Sequence, residues 1–156
     1  LSPNKAWLSL QHKDKLSQLS LETFTTIWST NLKAPLSTEP KYSQDGEFIY
    51  IGSRDGIVKK ISAISGELQW ERKLDSPIYQ VPQIYGSQLF LITNSQKIYC
   101  LDEKKGTPKW VFNTGLKGLV IRTKQSIRAY SDILLLTLSS GEITALNLKT
   151  GSLLWQ

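Results

Sequence analysis

Apolar residues along the chain occur in short runs that alternate with turn-forming residues. In the second quarter the runs are KYSQ, EFIYIGS, IVKKISAI and ELQWERKL, and in the third they are VPQIYG, QLFLITN, KIYCLDE and PKWVFNT. β-Branched and aromatic residues are frequent in these runs, and no segment has apolar residues at helical spacing over a helix's length. The pattern predicts an all-β protein built from units of four antiparallel strands.

Tryptophans mark a repeat in this pattern. The last four of the chain's five tryptophans recur with spacings of 42, 40 and 45 residues, at Trp28, Trp70, Trp110 and Trp155. A glycine stands four residues before each of the last three, at Gly66, Gly106 and Gly151. The first copy has Phe24 at that place. Four strands in a period of about 40 to 45 residues are typical of one blade of a β-propeller.

We therefore predict a single β-propeller, or a fragment of one, over residues 1–156. The blades are expected at about residues 1–33, 34–75, 76–115 and 116–156, which gives about three whole blades and one partial blade. The first unit starts just before its second strand and the last strand is short, so we expect a fragment of a larger ring. A four-bladed ring, or self-association through the open blade edges, would also cover the exposed sheet ends. A β-sandwich is the alternative fold.

The segments around the later tryptophans carry a family resemblance. KISAISGELQW, CLDEKKGTPKW and ALNLKTGSLLW resemble the A-x-D-x-x-T-G-x-x-x-W docking motif of pyrroloquinoline-quinone-type propellers. The resemblance implies that each tryptophan packs on a peptide of the neighbouring blade, and that the glycine takes the tight turn between the third and fourth strands. It gives structural docking roles to Trp28, Trp70, Trp110, Trp155, Gly66, Gly106 and Gly151. We expect the later tryptophans to be largely buried.

Within this superfamily, residues 50–156 are most similar to the BamB family of outer-membrane assembly lipoproteins. The similarity rests on IYIGSRDGIVKKISAISGELQW, on the strand around Val81 and Pro82, and on GLVIR. It implies a periplasmic, outer-membrane-associated scaffold that assists β-barrel insertion by binding the periplasmic repeats of BamA. That family has eight blades and an N-terminal lipid-bearing cysteine, whereas Cys100, the single cysteine here, lies in a predicted strand. Any membrane contact is therefore expected only through an anchor or partner outside this chain.

Charge and spacing both single out the segment before the last unit. The chain has 19 lysines and arginines against 13 acids, and no acid occurs between Glu103 and Asp132. Trp110 and Leu134 are 24 residues apart, against 21 and 19 residues in the two preceding copies, which indicates an inserted loop. A basic loop on a rigid scaffold favours an acidic protein partner.

The predicted protein-binding residues within this loop are Leu119, Ile121 and Arg122. They combine apolar anchors with a planar guanidinium donor, a mixture that is enriched at interface hot spots. They also match the BamB loop that contacts BamA, with isoleucine replacing leucine at Ile121. The alternative is that these residues simply begin the first strand of the last blade.

The sequence has few residues in arrangements that could carry out catalysis. A quinoprotein dehydrogenase would need calcium ligands, a catalytic carboxylate and usually a vicinal cysteine pair. The chain has one cysteine and one histidine, and its acids stand in predicted turns, at Asp45, Asp55, Asp102 and Asp132. We predict no enzyme activity, no cofactor, no metal and no nucleic-acid partner. A fragment of a quinoprotein dehydrogenase and an extracytoplasmic or luminal stress-sensor domain remain the alternative functions.

Overall fold

A computed structural model describes residues 7–115, 126–138 and 140–156. These residues form fifteen β-strands and no helix, which confirms the all-β prediction. The strands are β1 (Trp7–His12), β2 (Lys15–Ser20), β3 (Thr26–Asn31), β4 (Lys41–Tyr42), β5 (Phe48–Gly52), β6 (Ile57–Ser62), β7 (Leu68–Lys73), β8 (Gln83–Tyr85), β9 (Gln88–Ile92), β10 (Lys97–Asp102), β11 (Pro108–Asn113), β12 (Ser126–Tyr130), β13 (Ile133–Thr137), β14 (Ile143–Asn147) and β15 (Leu153–Trp155).

The strands form four antiparallel sheets in which chain neighbours pair with one another. The first sheet has three strands, β1 to β3, and the next three sheets have four strands each, β4 to β7, β8 to β11 and β12 to β15. The register of the last two strands shifts in every sheet, after Gln18, Lys60, Cys100 and Ala145. Each of these residues pairs with the tryptophan of its repeat, so the sheets share one detailed geometry as well as one strand order.

The hydrophobic core is divided among the spaces between consecutive sheets. One cluster joins the first two sheets, a second joins sheets two and three, and a third joins sheets three and four. Strand β6 has apolar residues on both faces, because Ile61 packs toward the first sheet and Val58 packs toward the third. Both side chains are fully buried. The sheets are therefore stabilised by stacking on one another, as blades of a propeller are.

Candidate functional site

One tryptophan connects each sheet to the next sheet along the chain, at three junctions in all of the described residues. The indole N–H donates to a backbone carbonyl in the turn between the third and fourth strands of the following sheet. The pairs are Trp28 with Ala63 at 2.9 Å, Trp70 with Glu103 at 3.2 Å and Trp110 with Leu148 at 3.2 Å. Each indole ring is partly buried and packs against the cluster between its two sheets. The repeated tryptophan thus joins the sheets through one hydrogen bond and one large apolar contact.

The glycine of the repeat lies directly under this ring. Gly66, Gly106 and Gly151 have φ angles of +76°, +66° and +71°, a backbone conformation that L side chains rarely adopt. A Cβ atom added at these positions would lie 2.7, 2.7 and 2.5 Å from the nearest ring atoms of the docked tryptophan. Both the turn and the close approach of the indole therefore require glycine.

Trp155 differs from the other three tryptophans. It ends the fourth sheet, and no further sheet packs against it within the described residues. Its side chain is 52% exposed. The expectation that the later tryptophans are largely buried is therefore wrong for Trp155, because burial of this residue depends on a following sheet.

A charged cluster that the repeat pattern did not indicate lies between the second and third sheets. Lys60 Nζ is 2.7 Å from Glu103 Oε1, and the Tyr50 hydroxyl donates to the same carboxylate oxygen. The Lys60 amino group also lies 3.9 Å from the centre of the Phe48 ring. The Lys60 and Glu103 side chains are only 6% and 14% exposed. Such a buried pair is tolerated because each charged group has several partners.

Burial shifts the pKa values of Glu103 and Lys60 so that the uncharged form of each group is favoured. Desolvation raises the pKa of the Glu103 carboxyl and lowers the pKa of the Lys60 ammonium group. The negative charge of Asp45 adds to the rise at Glu103 and opposes the fall at Lys60. Burial therefore disfavours the charged forms of both groups, whose charged atoms lie 2.7 Å apart.

A groove of about 1180 Å³ opens above this ion pair. Its lining has aromatic residues and charges of both signs: Tyr42, Phe48, Tyr85, Lys41, Lys104 and Asp45. Sequence reasoning missed this site, although one signal was present. Lys60 occupies the repeat position at which the other copies have the uncharged residues Gln18, Cys100 and Ala145. A charge at a position that is otherwise neutral and buried indicates a partner in the neighbouring sheet.

The predicted partner residues Leu119, Ile121 and Arg122 lie outside the described residues. The chain enters their segment from β11, which ends at Asn113, and the next described strand begins at Ser126. In the sequence, 24 residues separate Trp110 from Leu134, against 21 and 19 residues between the corresponding positions of the two preceding copies.

Asp45 lies in a turn, as predicted, whereas Asp102 is the last residue of β10 and accepts hydrogen bonds from the turn that follows it. Asp45 accepts hydrogen bonds from the Ser43 hydroxyl at 2.5 Å and from the Glu47 amide at 3.0 Å. Asp102 accepts from the amides of Lys104 and Lys105. Across residues 7–115, 126–138 and 140–156, no three His, Cys, Asp or Glu side chains gather in a group that could hold a metal ion. The same ranges contain no helix long and apolar enough to cross a membrane.

Comparison with known families agrees with this repeat geometry. A family model described as outer membrane protein assembly factor BamB matches residues 12–156. The chain belongs to the BamB family. The match includes the four tryptophans of the repeat and all three docking glycines.

Individual relatives are distant and longer than this chain. BamB of Yersinia pestis is 24% identical over 139 residues, which are 89% of this chain and 35% of that protein. BamB of Moranella endobia is 26% identical over 136 residues, 87% of this chain and 34% of that protein. The chain therefore spans about a third of the length of these BamB relatives.

Solved structures show the same fold. The crystal structure of BamB from Moraxella catarrhalis superposes with a TM-score of 0.81 at 21% identity, covering 99% of this chain and 49% of that one. A computationally designed protein, Ika8, superposes with a TM-score of 0.78 at 15% identity and covers 97% of this chain and 46% of its own. Because a designed protein also superposes on the chain, the fold by itself identifies no activity.

Proposed function

We propose that this chain is part of a non-catalytic scaffold that assists assembly of β-barrel proteins in the outer membrane. The observation that carries the proposal is the BamB family match over residues 12–156. This range contains strands of all four stacked sheets. Stacked sheets joined by tryptophans form a rigid support, and rigid supports suit the presentation of binding loops. The family further supports a periplasmic location at the outer membrane.

The proposed partner is the set of periplasmic domains of BamA, and the proposed contact is the loop 117–124. Leu119 and Ile121 would act as apolar anchors, and Arg122 would donate to a carboxylate of the partner. Support comes from the longer spacing between Trp110 and Leu134, 24 residues against 21 and 19 in the preceding copies, and from the absence of acids between Glu103 and Asp132. A basic segment without internal acids attracts an acidic surface and accelerates its association.

The decisive experiment measures binding of the Arg122→Glu variant to purified BamA periplasmic domains by isothermal titration calorimetry. We expect the binding free energy to become less favourable by about 2 kcal/mol, while the thermal unfolding midpoint stays close to that of the wild type. Arg128→Glu is the matched control, because Arg128 is an exposed arginine of the adjoining strand β12. Unchanged binding of Arg122→Glu, or an equal loss for Arg128→Glu, would contradict the proposed contact.

The scaffold proposal also predicts that the chain retains no quinone. The test is incubation with pyrroloquinoline quinone and calcium, followed by gel filtration and absorbance spectroscopy of the protein peak. Cofactor absorbance at a 1:1 ratio would favour a quinoprotein instead.

A further inference from the structure

The groove between the second and third sheets has one wall made by a turn that departs from the repeat. Five residues, 43–47, separate β4 from β5, whereas two residues separate β8 from β9 and two separate β12 from β13. Hydrogen bonds within the longer turn fix its shape, because the Gly46 amide donates to the Ser43 carbonyl at 3.0 Å and the Ser43 amide donates to the Phe48 carbonyl at 2.9 Å. Three residues of this turn line the groove. The second sheet therefore has a preformed wall that the third and fourth sheets do not share.

The charges that line the groove are positive on balance. The lining contains three lysines, Lys41, Lys60 and Lys104, and two acids, Asp45 and Glu103, so its net charge is +1. Glu103 already pairs with Lys60, and Asp45 accepts two hydrogen bonds from its own turn. Lys41 and Lys104 form no salt bridge with any residue that the structure describes. The charges that remain for a ligand are these two ammonium groups, one from each sheet.

Apolar surface lies in the same groove. Phe48, Ile84 and Tyr85 line it, and each of these side chains is only partly buried. Phe48 and Ile84 pack against the core cluster between the second and third sheets, and Tyr85 packs against the cluster between the third and fourth. Core packing thus fixes these three side chains before any ligand binds, which lowers the entropic cost of binding. Partly exposed rings beside unpaired cations suit a ligand that combines an apolar group with carboxylates.

We propose that this groove is a second protein-binding site, and that its ligand is an extended acidic peptide with a large apolar side chain between two carboxylates. The apolar side chain lies against Phe48, Ile84 and Tyr85, and the carboxylates pair with Lys41 and Lys104. Two cations on different sheets suit two separate carboxylates better than they suit one compact anion. The volume of about 1180 Å³ also exceeds the roughly 300–1,000 Å³ of typical small-molecule pockets, which favours a peptide segment.

This site is separate from the proposed BamA contact. The turns that line the groove connect β4 to β5 and β10 to β11, and they lie at one end of the sheets. Asn113, after which the chain leads toward the loop 117–124, is the last residue of β11 and lies at the other end of that strand. Binding in the groove therefore does not depend on the loop, and failure of either proposal leaves the other standing.

The first test measures binding of three fluorescein-labelled peptides to the chain by fluorescence anisotropy. The probe GDFDG has the proposed chemistry, GDADG lacks the apolar side chain and GKFKG reverses the charge. We expect GDADG and GKFKG each to bind at least tenfold more weakly than GDFDG. Because the chain is the same in all three titrations, these differences are independent of its folding. Absence of GDFDG binding, or equal affinity for GDADG, would overturn the proposal.

Charge reversal in the chain then locates the site. Lys41→Glu and Lys104→Glu should each weaken GDFDG binding about tenfold, because each places a carboxylate where the peptide carboxylate binds. Lys105→Glu is the matched control, since Lys105 is an exposed neighbour in the same turn and does not line the groove. It should weaken binding less than threefold, and circular dichroism verifies that all variants fold. An equal loss for Lys105→Glu would reduce the binding to general attraction between a basic chain and an acidic peptide, and displacement of the peptide by equimolar inorganic phosphate would indicate an anion site only.

Discussion

Lys60 and Glu103 form an ion pair across the junction of the second and third sheets, and their positions are neutral at the other two described junctions. The equivalent positions hold Gln18 and Ala63 between sheets one and two, and Cys100 and Leu148 between sheets three and four. Gln18 donates to the Tyr42 hydroxyl of the second sheet at 2.8 Å. Each junction therefore combines the shared tryptophan dock with its own pair of side chains. The dock supplies the common geometry, and the side chains at this second position differ from one junction to the next.

Removing Glu103 is expected to destabilise the chain strongly. Glu103→Ala leaves the Lys60 ammonium buried without its carboxylate, and we expect the free energy of unfolding to fall by about 3 kcal/mol. Urea denaturation followed by tryptophan fluorescence measures this loss. Asp132→Ala is the control, since the Asp132–Lys149 pair is 65% and 74% exposed and should contribute less than about 1 kcal/mol. The double variant Lys60→Met with Glu103→Leu should recover most of the stability. If it does not, the ion pair stabilises the fold more than an apolar pair at the same positions.

Two glycine substitutions distinguish the stability cost of backbone strain from the cost of a collision with the docked tryptophan ring. Gly106 and Gly86 both have positive φ angles, +66° and +57°, but only Gly106 lies under an indole ring. Gly86→Ala should cost about 1 kcal/mol for its conformation alone. Gly106→Ala should cost about 2 kcal/mol more, because its Cβ would collide with Trp70. Equal losses in chemical denaturation would mean that the close approach of the ring is unimportant.

The tryptophans should differ in the stability that they provide. Trp70→Ala removes an indole that is packed between two sheets and hydrogen-bonded to Glu103, and should cost about 3 kcal/mol. Trp155→Ala removes a ring that is 52% exposed and should cost about 1 kcal/mol or less. Thermal unfolding by calorimetry compares the two variants. A similar loss for both would show that Trp155 is buried in solution.

Strand periodicity and spacing were enough to predict the sheets because every unit repeats the same alternation of apolar runs and turns. Spacing also located the docking residues, since a tryptophan and a glycine four residues apart recur in three of the units. The sequence could not show which tryptophan covers which glycine. That assignment depends on the stacking of sheets, which brings Trp28 to a glycine 38 residues later in the chain.

The partners of the buried charges were beyond sequence reasoning for a related physical reason. Lys59 and Lys60 are adjacent and point to opposite faces of β6, yet both are buried. Lys59 finds Glu71 on the neighbouring strand at 2.5 Å, and Lys60 finds Glu103 in the next sheet, 43 residues away. A pair of lysines in a strand ordinarily indicates a solvated edge. Only the register between strands and between sheets reveals which acid is the partner of each lysine.

Cys100 is expected to be unreactive in the folded chain. It lies fully buried in β10, and burial raises the pKa of its thiol to about 11. At pH 8 the residue is almost entirely a thiol, whereas the nucleophilic form is the thiolate. Labelling with 5,5′-dithiobis(2-nitrobenzoic acid) at pH 8 should therefore be slow in buffer and complete within minutes in 6 M guanidinium chloride. Fast labelling of the folded chain would show that the junction between sheets three and four opens readily.

Asp75 should make the stability of the chain depend on acidity. Partial burial by itself would raise the pKa of this carboxyl, but hydrogen bonds from Ser95, Lys97 and other neighbours outweigh it and lower the pKa to about 2. The ordinary value is 3.8. Because the folded-state pKa is the lower one, Asp75 stabilises the fold fully above about pH 4, and this stabilisation is lost as the pH falls toward 2.

Urea denaturation of the wild type and of Asp75→Asn at several values between pH 2 and pH 6 measures this contribution. The difference between the two unfolding free energies should be largest above pH 4 and should shrink as the pH decreases. The Lys97 ion pair with Asp75, at 2.9 Å, gives an independent check. Lys97→Met should reduce the same pH-dependent difference in part, because the hydrogen bond from Ser95 at 2.5 Å remains. A difference that stays constant from pH 6 to pH 2 would mean that Asp75 titrates with the same pKa in the folded and unfolded chain.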